Sequence, residues 1–331
     1  MSEIISLLRQ LAKTALLMAA VITALTLVLG ATYFPYSTDD PSLEVSLDTL
    51  AADEFYEEVY TAGAEPLAAG SEPKDHEYVV MGKDASEAAG AVEAIGSFVE
   101  DYNLQGAHVL EVGAGSGQLQ DMVDDYTGLD IAASAARYFH KPFVHGSATD
   151  LPFADGEFDA VWTVWVLEHV PNPELALSEM RRVTKSGGLI FLAPAWNCSP
   201  WLAEGYPVRP YSDFGVGGKL VKASLSFRAN PLYQYAHLVS SRLVRRAGLI
   251  ADSGSPTTFR YNRIQPNYDH YWMPDSDAVV SLDPHEAMLW HTSRGDACLN
   301  CPQETSDQLL MGLSPLVIQV NKRPSAEIAK Q

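Results

Sequence analysis

A glycine-rich loop follows directly after an apolar, β-branched stretch at residues 109–119, "VLEVGAGSGQL". A strand that runs into such a loop typically holds a ligand at the carboxyl edge of a sheet, because glycines let the backbone approach closely. A phosphate-binding P-loop needs Lys-Ser or Lys-Thr after its glycines, and this chain has Gln118 and Leu119 there. A dinucleotide fingerprint needs its third glycine at position 118, whereas here it is Gly117. The loop therefore favours neither phosphate nor pyrophosphate.

Acidic and small polar residues after three predicted strands indicate a nucleoside with a cationic end. Glu111 precedes the loop, where a carboxylate suits a positive charge or an amino group on the ligand. Asp130 ends the second predicted strand and is placed to accept hydrogen bonds from ribose hydroxyls. The stretch "HGSATDLPF", residues 145–153, follows the third strand and offers backbone groups to an adenine edge.

Short apolar stretches alternate with helical ones downstream of the loop. Strands are predicted at 108–112, 127–130, 143–145, 158–164 and 188–193, and helices at about 117–124, 132–138 and 173–184. This spacing implies right-handed crossovers and a parallel sheet with helices on both faces. Further along, helices are predicted at 231–247 and within 283–295, and a closing strand at 315–323.

Five ordered blocks between Val109 and Pro194 resemble the class I S-adenosylmethionine-dependent methyltransferases, in particular their type 11 group. They read "LEVGAGSG", "GLDIAASAARY", "GSATDLPFADGEFDAVWTV", "VLEHVPNPELALSEMRRVTKSGG" and "LIFLAP". The resemblance implies an α/β fold with a Rossmann-like, seven-stranded, mostly parallel sheet. It also implies S-adenosylmethionine as the cofactor and methyl transfer as the reaction.

The resemblance further implies which side chains hold the cofactor. The glycine loop and the acidic residues would hold the methionine end and the ribose. The residues after the third strand would hold the adenine, and the fourth strand would lie near the sulfur. The cofactor-binding residues are then Glu111, Gly113, Ala114, Gly115, Gly117, Asp130, Ile131, Ser147, Ala148 and Thr163. Ser147 stands where the family often has Asp, and its hydroxyl can still accept a hydrogen bond from the adenine amine.

His169 is the first candidate for a catalytic base, because it follows the fourth strand on the side where the methyl group should point. It could instead only brace the loop, and the insertion offers rivals: Tyr206, Tyr211, His237 and His270. In a related quinone-ring O-methyltransferase subgroup, "ExxEH" can supply metal ligands. This chain reads "WVLEH" at residues 165–169, without the first carboxylate, so no metal is expected.

Residues 195–282 break the regular alternation and form a large aromatic-rich insertion after strand 5, which we expect to act as a substrate lid. Its aromatic residues could pack as lid core or line the acceptor pocket. Between Gly205 and Arg263 it has nine basic and two acidic residues, a local charge of +7. This segment is interpreted either as an amphipathic surface for anionic lipid or as a solvated face that balances an acidic chain.

The N-terminal stretch from Thr14 to Phe34 contains no charged residue. At about 1.5 Å per residue, a helix of this length matches a hydrocarbon layer of about 30 Å. We interpret it as a single transmembrane helix, with a cleaved signal sequence or a buried helix as alternatives. Arg9 and Lys13 place the following domain outside the cytoplasm by the positive-inside rule, whereas a cofactor made in the cytosol indicates the opposite side.

The chain is accordingly divided into an anchor or signal at 1–36, an acidic linker at 37–85, a methyltransferase domain at 86–323 and a tail at 324–331. From Asp39 to Glu72 there are ten acidic residues and no basic one, which is typical of a solvated spacer, with a short helix expected near 50–63.

Charge and cysteine content narrow the possible functions. A net charge of −20 disfavours nucleic acid as a partner. Cys298 and Cys301 form a C-x-x-C without the four ligands of a zinc site, so they are either ordinary small residues or a local disulfide. The preferred function is methyl transfer, to oxygen or carbon, on a small hydrophobic or lipid-associated acceptor at a membrane. A non-catalytic S-adenosylmethionine-binding module is the alternative, and the glycine spacing disfavours a nicotinamide-dependent oxidoreductase.

Overall fold

The protein has an α/β core in this computed structural model, which describes residues 13–14, 16–18, 20–21, 37–38, 46–61, 77–251 and 256–322. Its strands are β1 (Ser37–Thr38), β2 (His108–Val112), β3 (Asp125–Asp130), β4 (Phe143–His145), β5 (Phe158–Val164), β6 (Thr184–Ala193), β7 (Arg260–Arg263), β8 (Val280–Ser281), β9 (Ala297–Cys298) and β10 (Leu316–Gln319). Its helices are α1 (Ser46–Thr61), α2 (Glu77–Ala89), α3 (Ala91–Asp101), α4 (Pro173–Val183), α5 (Val216–Arg228), α6 (Pro231–Ala251), α7 (Pro284–Ser293) and α8 (Thr305–Leu309). Short 3-10 helices cover Ala133–Tyr138, Leu167–His169 and Tyr211–Asp213.

Among the described residues the main sheet has seven strands, in the order β4-β3-β2-β5-β6-β10-β9. The first five are parallel to one another, whereas β10 pairs antiparallel with both β6 and β9. The strand order reverses between β2 and β5, and such a switch point opens a crevice at the carboxyl ends of the strands. The predicted Rossmann-like, mostly parallel sheet is confirmed.

Helices cover both faces of this sheet. Because successive residues of a buried strand point to opposite sides, each strand contributes side chains to both faces. On β6, Ile190 and Leu192 pack into the core that includes α4 and α7. Leu189 and Phe191 pack into a second core with α3. The apolar run "LIFLA" therefore carries side chains for two separate cores, as expected for a strand buried on both faces.

The helix predicted at 117–124 is wrong, since these residues form turns between the glycine loop and β3. Gly117 has a φ of 70°, which interrupts helical geometry at the start of the segment. The Gln120 side chain then donates to the carbonyl of Gly117 (2.9 Å) and of Tyr138 (3.1 Å), and accepts from the amide of His140 (3.0 Å). These side-chain bonds stabilise the turns in place of a helical ladder.

The segment predicted to be a solvated linker contains α1 and most of α2. One face of α1 is buried through Tyr56, Val59 and Tyr60, in a cluster that also includes Ala132 and Ala135. The opposite face is exposed and acidic, in keeping with the composition of the segment. As a correction to the sequence interpretation, α1 is a packed helix of the domain and not a solvated stalk.

The predicted transmembrane helix at 14–34 lies largely outside the described residues, so it stays a prediction. Across the residues that the structure does describe, no helix combines the length and the apolar character needed to cross a bilayer.

The insertion at 195–282 contributes α5, α6 and a small sheet in which β7 pairs with β1 and β8. Its two ends meet where the amide of Asn197 donates to the carbonyl of Leu282 (2.9 Å). Beyond it, Cys298 and Cys301 form a disulfide, which is one of the two alternatives left open by the sequence, while Cys198 is a free, buried thiol.

Candidate active site

The glycine loop is tied to the neighbouring strand by its own backbone. The amides of Gly113 and Ala114 both donate to the carbonyl of Leu129, at 2.8 and 2.9 Å. Gly113 has a φ of 77°, and a Cβ at this position would lie 2.2 Å from a methyl carbon of Val166. A residue with a side chain would therefore be strained and would collide, which explains the glycine.

Asp130 fixes the loop from the end of β3. Its Oδ2 accepts from the amide of Gly115 (2.8 Å) and its Oδ1 accepts from the amide of Ala132 (3.0 Å). Burial raises the pKa of Asp130, and the backbone amides oppose that rise. Because each carboxylate oxygen can accept more than one hydrogen bond, Asp130 keeps acceptor capacity for a ligand.

Glu111 is buried at the end of β2, where the Tyr126 hydroxyl donates to its Oε2. Burial raises the pKa of Glu111 to about 8, and the hydrogen bond from Tyr126 only partly offsets this. A cationic ligand beside Glu111 would favour the ionised form of this carboxylate. The resulting pair of opposite charges would stabilise the bound ligand.

Two adjoining cavities bring most of the predicted cofactor residues together. The first, of about 270 Å³, is lined by residues that include Asp130, Ile131, Ser147 and Ala148. The second, of about 390 Å³, is lined by residues that include Glu111, Gly113, Ala114 and Gly115. Both cavities share Tyr60, Tyr78, Gly113, Trp165 and His169 at their junction. One elongated ligand that spans both cavities would touch the nucleoside-type residues at one end and the loop at the other.

Two predicted residues do not reach these cavities. Gly117 lines neither cavity and shapes the turn after the loop. Thr163 is fully buried inside β5, whereas Val164 at the end of the strand and Trp165 and Val166 after it line the cavities. The Ser147 hydroxyl lies at the first cavity, 2.8 Å from Thr149 Oγ1, and it accepts from the Thr149 amide.

His169 lies at the junction of the cavities with its side chain 13% exposed. Its Nδ1 is 3.4 Å from Asp277 Oδ2, and its Nε2 is 3.8 Å from Glu168 Oε1. Burial opposes protonation of His169, but the surrounding carboxylates, Asp277 foremost, outweigh burial and raise its pKa. Asp277 is itself fully buried and accepts a hydrogen bond from the Tyr56 hydroxyl (2.7 Å).

The rival bases lie elsewhere in the described structure, since none of them lines either cavity. Tyr206 stacks on Phe214, His270 stacks on Trp272, and Tyr211 is exposed. Burial lowers the pKa of His237 on α6. Of the five candidates, His169 alone is placed at the cavities.

The aromatic wall of the site comes from helices that the sequence reasoning did not assign to it. Tyr56 and Tyr60 of α1 line the first cavity with Tyr78 of α2, and the Tyr60 hydroxyl would lie 2.8 Å from a Cβ at Gly115. Lys83 of α2 adds a cation to the lining of the second cavity. The sequence pattern that predicts this buried helix face is an apolar stripe at helical spacing: Ala52, Tyr56, Val59 and Tyr60. The acidic residues around it make the segment as a whole look solvated.

Glu168, His169 and Asp275 place one ligand atom each within 4.8 Å of one another. Glu168 is fully buried, and neither of its carboxylate oxygens accepts a hydrogen bond. Asp275 comes from the insertion, so a carboxylate distant in sequence stands near the pair that "WVLEH" supplies. The geometry could therefore hold a cation, and the expectation that no metal binds stays a prediction.

Known proteins match part of this chain. A family described as "Methyltransferase domain" matches residues 110–192. A demethylmenaquinone methyltransferase of Renibacterium salmoninarum is 38% identical over 112 residues, which cover 31% of this chain and 44% of that protein. One of Beutenbergia cavernae is 39% identical over 107 residues, covering 29% and 43%.

A fatty-acid O-methyltransferase of Mycolicibacterium smegmatis is 30% identical over 151 residues, covering 40% of this chain and 55% of that protein. The chain thus spans about half the length of the curated relatives it matches. The matched region holds the glycine loop, Asp130 and His169, and the resemblance seen in the sequence is confirmed. The region at 110–192 therefore matches a methyltransferase domain of the class I type, whose cofactor is S-adenosylmethionine.

Proposed function

We propose that this protein transfers a methyl group from S-adenosylmethionine to an oxygen or carbon of a small, hydrophobic or lipid-associated acceptor. The observation that carries this proposal is the position of His169. It is a buried, carboxylate-supported imidazole at the junction of the two cavities that also expose the glycine loop and Asp130.

The side chains present fit the cofactor. Asp130 has acceptor capacity left for the ribose hydroxyls, and Ser147 and Ala148 lie beside it for the adenine. Glu111 is a buried carboxylate for the cationic methionine end, and the glycine cradle leaves no room for a Cβ at position 113. When bound, the cofactor supplies a methyl group on a sulfonium, whose leaving group is a neutral thioether.

His169 acts as the base for the acceptor in this proposal. A hydroxyl or an acidic carbon loses its proton to the neutral imidazole, and Asp277 stabilises the imidazolium that results. In-line transfer needs alignment and exclusion of water more than further chemistry. The rings of Tyr56, Tyr60 and Tyr78 supply an aromatic wall for both purposes.

A hydrophobic acceptor is supported by the wall of the site and by the relatives. The first cavity is lined mainly by aromatic and aliphatic side chains, among them Trp165, Val166 and Leu175. Relatives named for demethylmenaquinone and for fatty acids act on lipid-like molecules. We further propose that residues 14–34 anchor the protein in a membrane, near a supply of such acceptors.

Transfer of label from methyl-labelled S-adenosylmethionine tests the proposal. The full chain is incubated with membrane lipid, small-molecule and protein fractions, and we expect label in a lipid-soluble small molecule. His169→Gln is the matched control, because it should retain cofactor binding and lose transfer. Label confined to protein would contradict a small-molecule acceptor. Cofactor binding without transfer to any fraction would instead support a non-catalytic binding module.

A further inference from the structure

Helix α6 of the insertion is amphipathic, but its apolar face is exposed and its charged face is buried. A surface helix ordinarily turns its apolar stripe to the core and its charges to solvent. In α6, Leu232, Leu243 and Ile250 share one face, and they are 80%, 51% and 83% exposed. Val244 beside them is 74% exposed. These large apolar side chains contact water in the isolated chain.

The opposite face of α6 is buried and carries charge. Arg242 is 1% exposed and forms two hydrogen bonds to the carboxylate of Asp283, at 2.7 and 3.0 Å. One turn on, Arg245 donates to Glu286 (3.0 Å). Both carboxylates belong to the start of α7, where Asp283 is also the N-cap. The charged face of α6 is thus fixed against the domain, and its apolar face is left outward.

This arrangement adds to the electrostatic interpretation of the basic segment 205–263. Two of its nine basic residues, Arg242 and Arg245, are neutralised by acidic residues that lie outside the segment. The surface presented by α6 is therefore more apolar than the local charge of +7 suggests. Helix α5 extends the same character, since Val216, Leu220 and Phe227 are also exposed.

We propose that the exposed apolar faces of α5 and α6, the α5–α6 surface, insert into the interfacial region of a lipid bilayer. Exposed apolar side chains grouped on one helix face mark interaction sites. Helices in a membrane interface bury the apolar face by about 5–10 Å at the boundary of headgroups and acyl chains. This surface extends the proposed function, because it would bring the site to lipid-associated acceptors.

Charge complementarity favours a bilayer over a second copy of the chain. Residues 216–251 contain no acidic residue, in a chain of net charge −20, and Lys219 is exposed on α5. Anionic headgroups would meet this lysine. A symmetric contact between two copies would instead place the same acid-free surfaces against each other.

Depth-dependent fluorescence quenching tests the proposal without any methyl transfer. A fluorophore is attached through Val244→Cys on α6, or through Glu100→Cys on α3 as the matched control. Both positions are exposed, and α3 packs on the other face of the sheet. The full chain is reconstituted in vesicles of phosphatidylcholine, with or without phosphatidylglycerol, that carry a nitroxide high in the acyl chain. We expect a roughly two-fold or greater loss of fluorescence at 244 and little at 100.

Each result then has a definite meaning. Quenching at 244 that persists in high salt and falls in the L243E/I250E double variant supports apolar insertion. Quenching that needs phosphatidylglycerol and disappears with salt would overturn it in favour of a purely electrostatic contact. No quenching, with a blue shift that grows with protein concentration, would assign the surface to a second copy. A protein that shows the expected quenching but transfers no methyl group contradicts the proposed function alone.

Discussion

At the residue scale, Asp130 accepts from the amides of Gly115 and Ala132, and we propose that it also accepts from the cofactor ribose. We expect Asp130→Ala to weaken S-adenosylmethionine binding by roughly 1–3 kcal/mol, because it removes hydrogen bonds to a charged acceptor. Isothermal titration calorimetry measures the change. Asp125→Ala is the control, since Asp125 is exposed at the opposite end of the same strand. Equal affinities for both variants would remove Asp130 from the binding site.

The rate of methyl transfer should rise with pH, because His169 must be neutral to act as the base. The neighbouring carboxylates raise the pKa of His169, so the neutral base becomes available only as the pH rises through that raised pKa. Asp277→Asn removes one negative charge while its amide oxygen can still accept from Tyr56. We expect the acidic limb of the kcat profile to move to lower pH in this variant. His169→Gln should lower kcat by about 10²–10⁴-fold at all pH values.

A chelator separates this role from metal binding by the same residues. If His169 is a free base, activity should be unchanged after treatment with EDTA. Loss of activity with EDTA, and its recovery with a divalent cation, would identify Glu168, His169 and Asp275 as ligands instead. An unmoved acidic limb in Asp277→Asn would show that Asp277 does not act on the base.

The residues that sequence could place are those at or just after the carboxyl ends of strands in the parallel sheet. Glu111, Asp130 and Ser147 were predictable because parallel strands end at one edge, so motifs distant in sequence converge there. The side chain of Thr163 does not reach the cavities, because alternation in β5 turns it into the core, and its role in binding stays a prediction. Asp277 was not predictable, since its contact with His169 depends on the path of an irregular insertion.

At the scale of elements, α1 shows how composition can conceal a packed helix. Its acidic residues dominate the segment and suggest a spacer, yet a narrow apolar stripe is enough to bury one face. The absent helix at 117–124 shows the reverse effect, where side-chain bonds from Gln120 override local propensity. Regular strands and long helices were predicted well because each carries many residues of one pattern.

The packing of α1 predicts that cofactor affinity depends on residues far from the glycine loop in sequence. Val59 is 1% exposed, so Val59→Asp places an unpaired carboxylate in the contact between α1 and the domain. We expect α1 to detach and affinity for S-adenosylmethionine to fall roughly tenfold, about 1.4 kcal/mol. Limited proteolysis within 46–61 reports detachment, and calorimetry reports affinity.

Glu58→Ala on the exposed face of α1 is the matched control and should behave as the parent protein. Faster cleavage of the Val59 variant with unchanged affinity would show that α1 packs on the domain without contributing to the cofactor site.

At the scale of the whole molecule, the chain combines an acidic surface with internally paired basic residues. Arg181, for example, forms two hydrogen bonds to the buried carboxylate of Asp296, which is also 2.9 Å from Nδ1 of the buried His291. Such pairs join α4 to the segment after α7 and tie distant parts of the sequence together. They were not predictable from net charge, because counting charges does not show which ones are neutralised inside the fold.

The disulfide bears on the side of a membrane on which the domain would lie if residues 14–34 anchor it, as we propose. Disulfides persist in oxidising compartments, so Cys298–Cys301 and the positive-inside pattern of Arg9 and Lys13 favour the same, non-cytoplasmic side. Protein denatured directly from source cells in the presence of an alkylating reagent should label at one thiol, Cys198, and at all three cysteines after prior reduction. Mass spectrometry of the labelled peptides provides the count. Labelling of all three before reduction would place the domain in a reducing compartment, where the cytosolic supply of S-adenosylmethionine is direct and the C-x-x-C serves only as two small side chains.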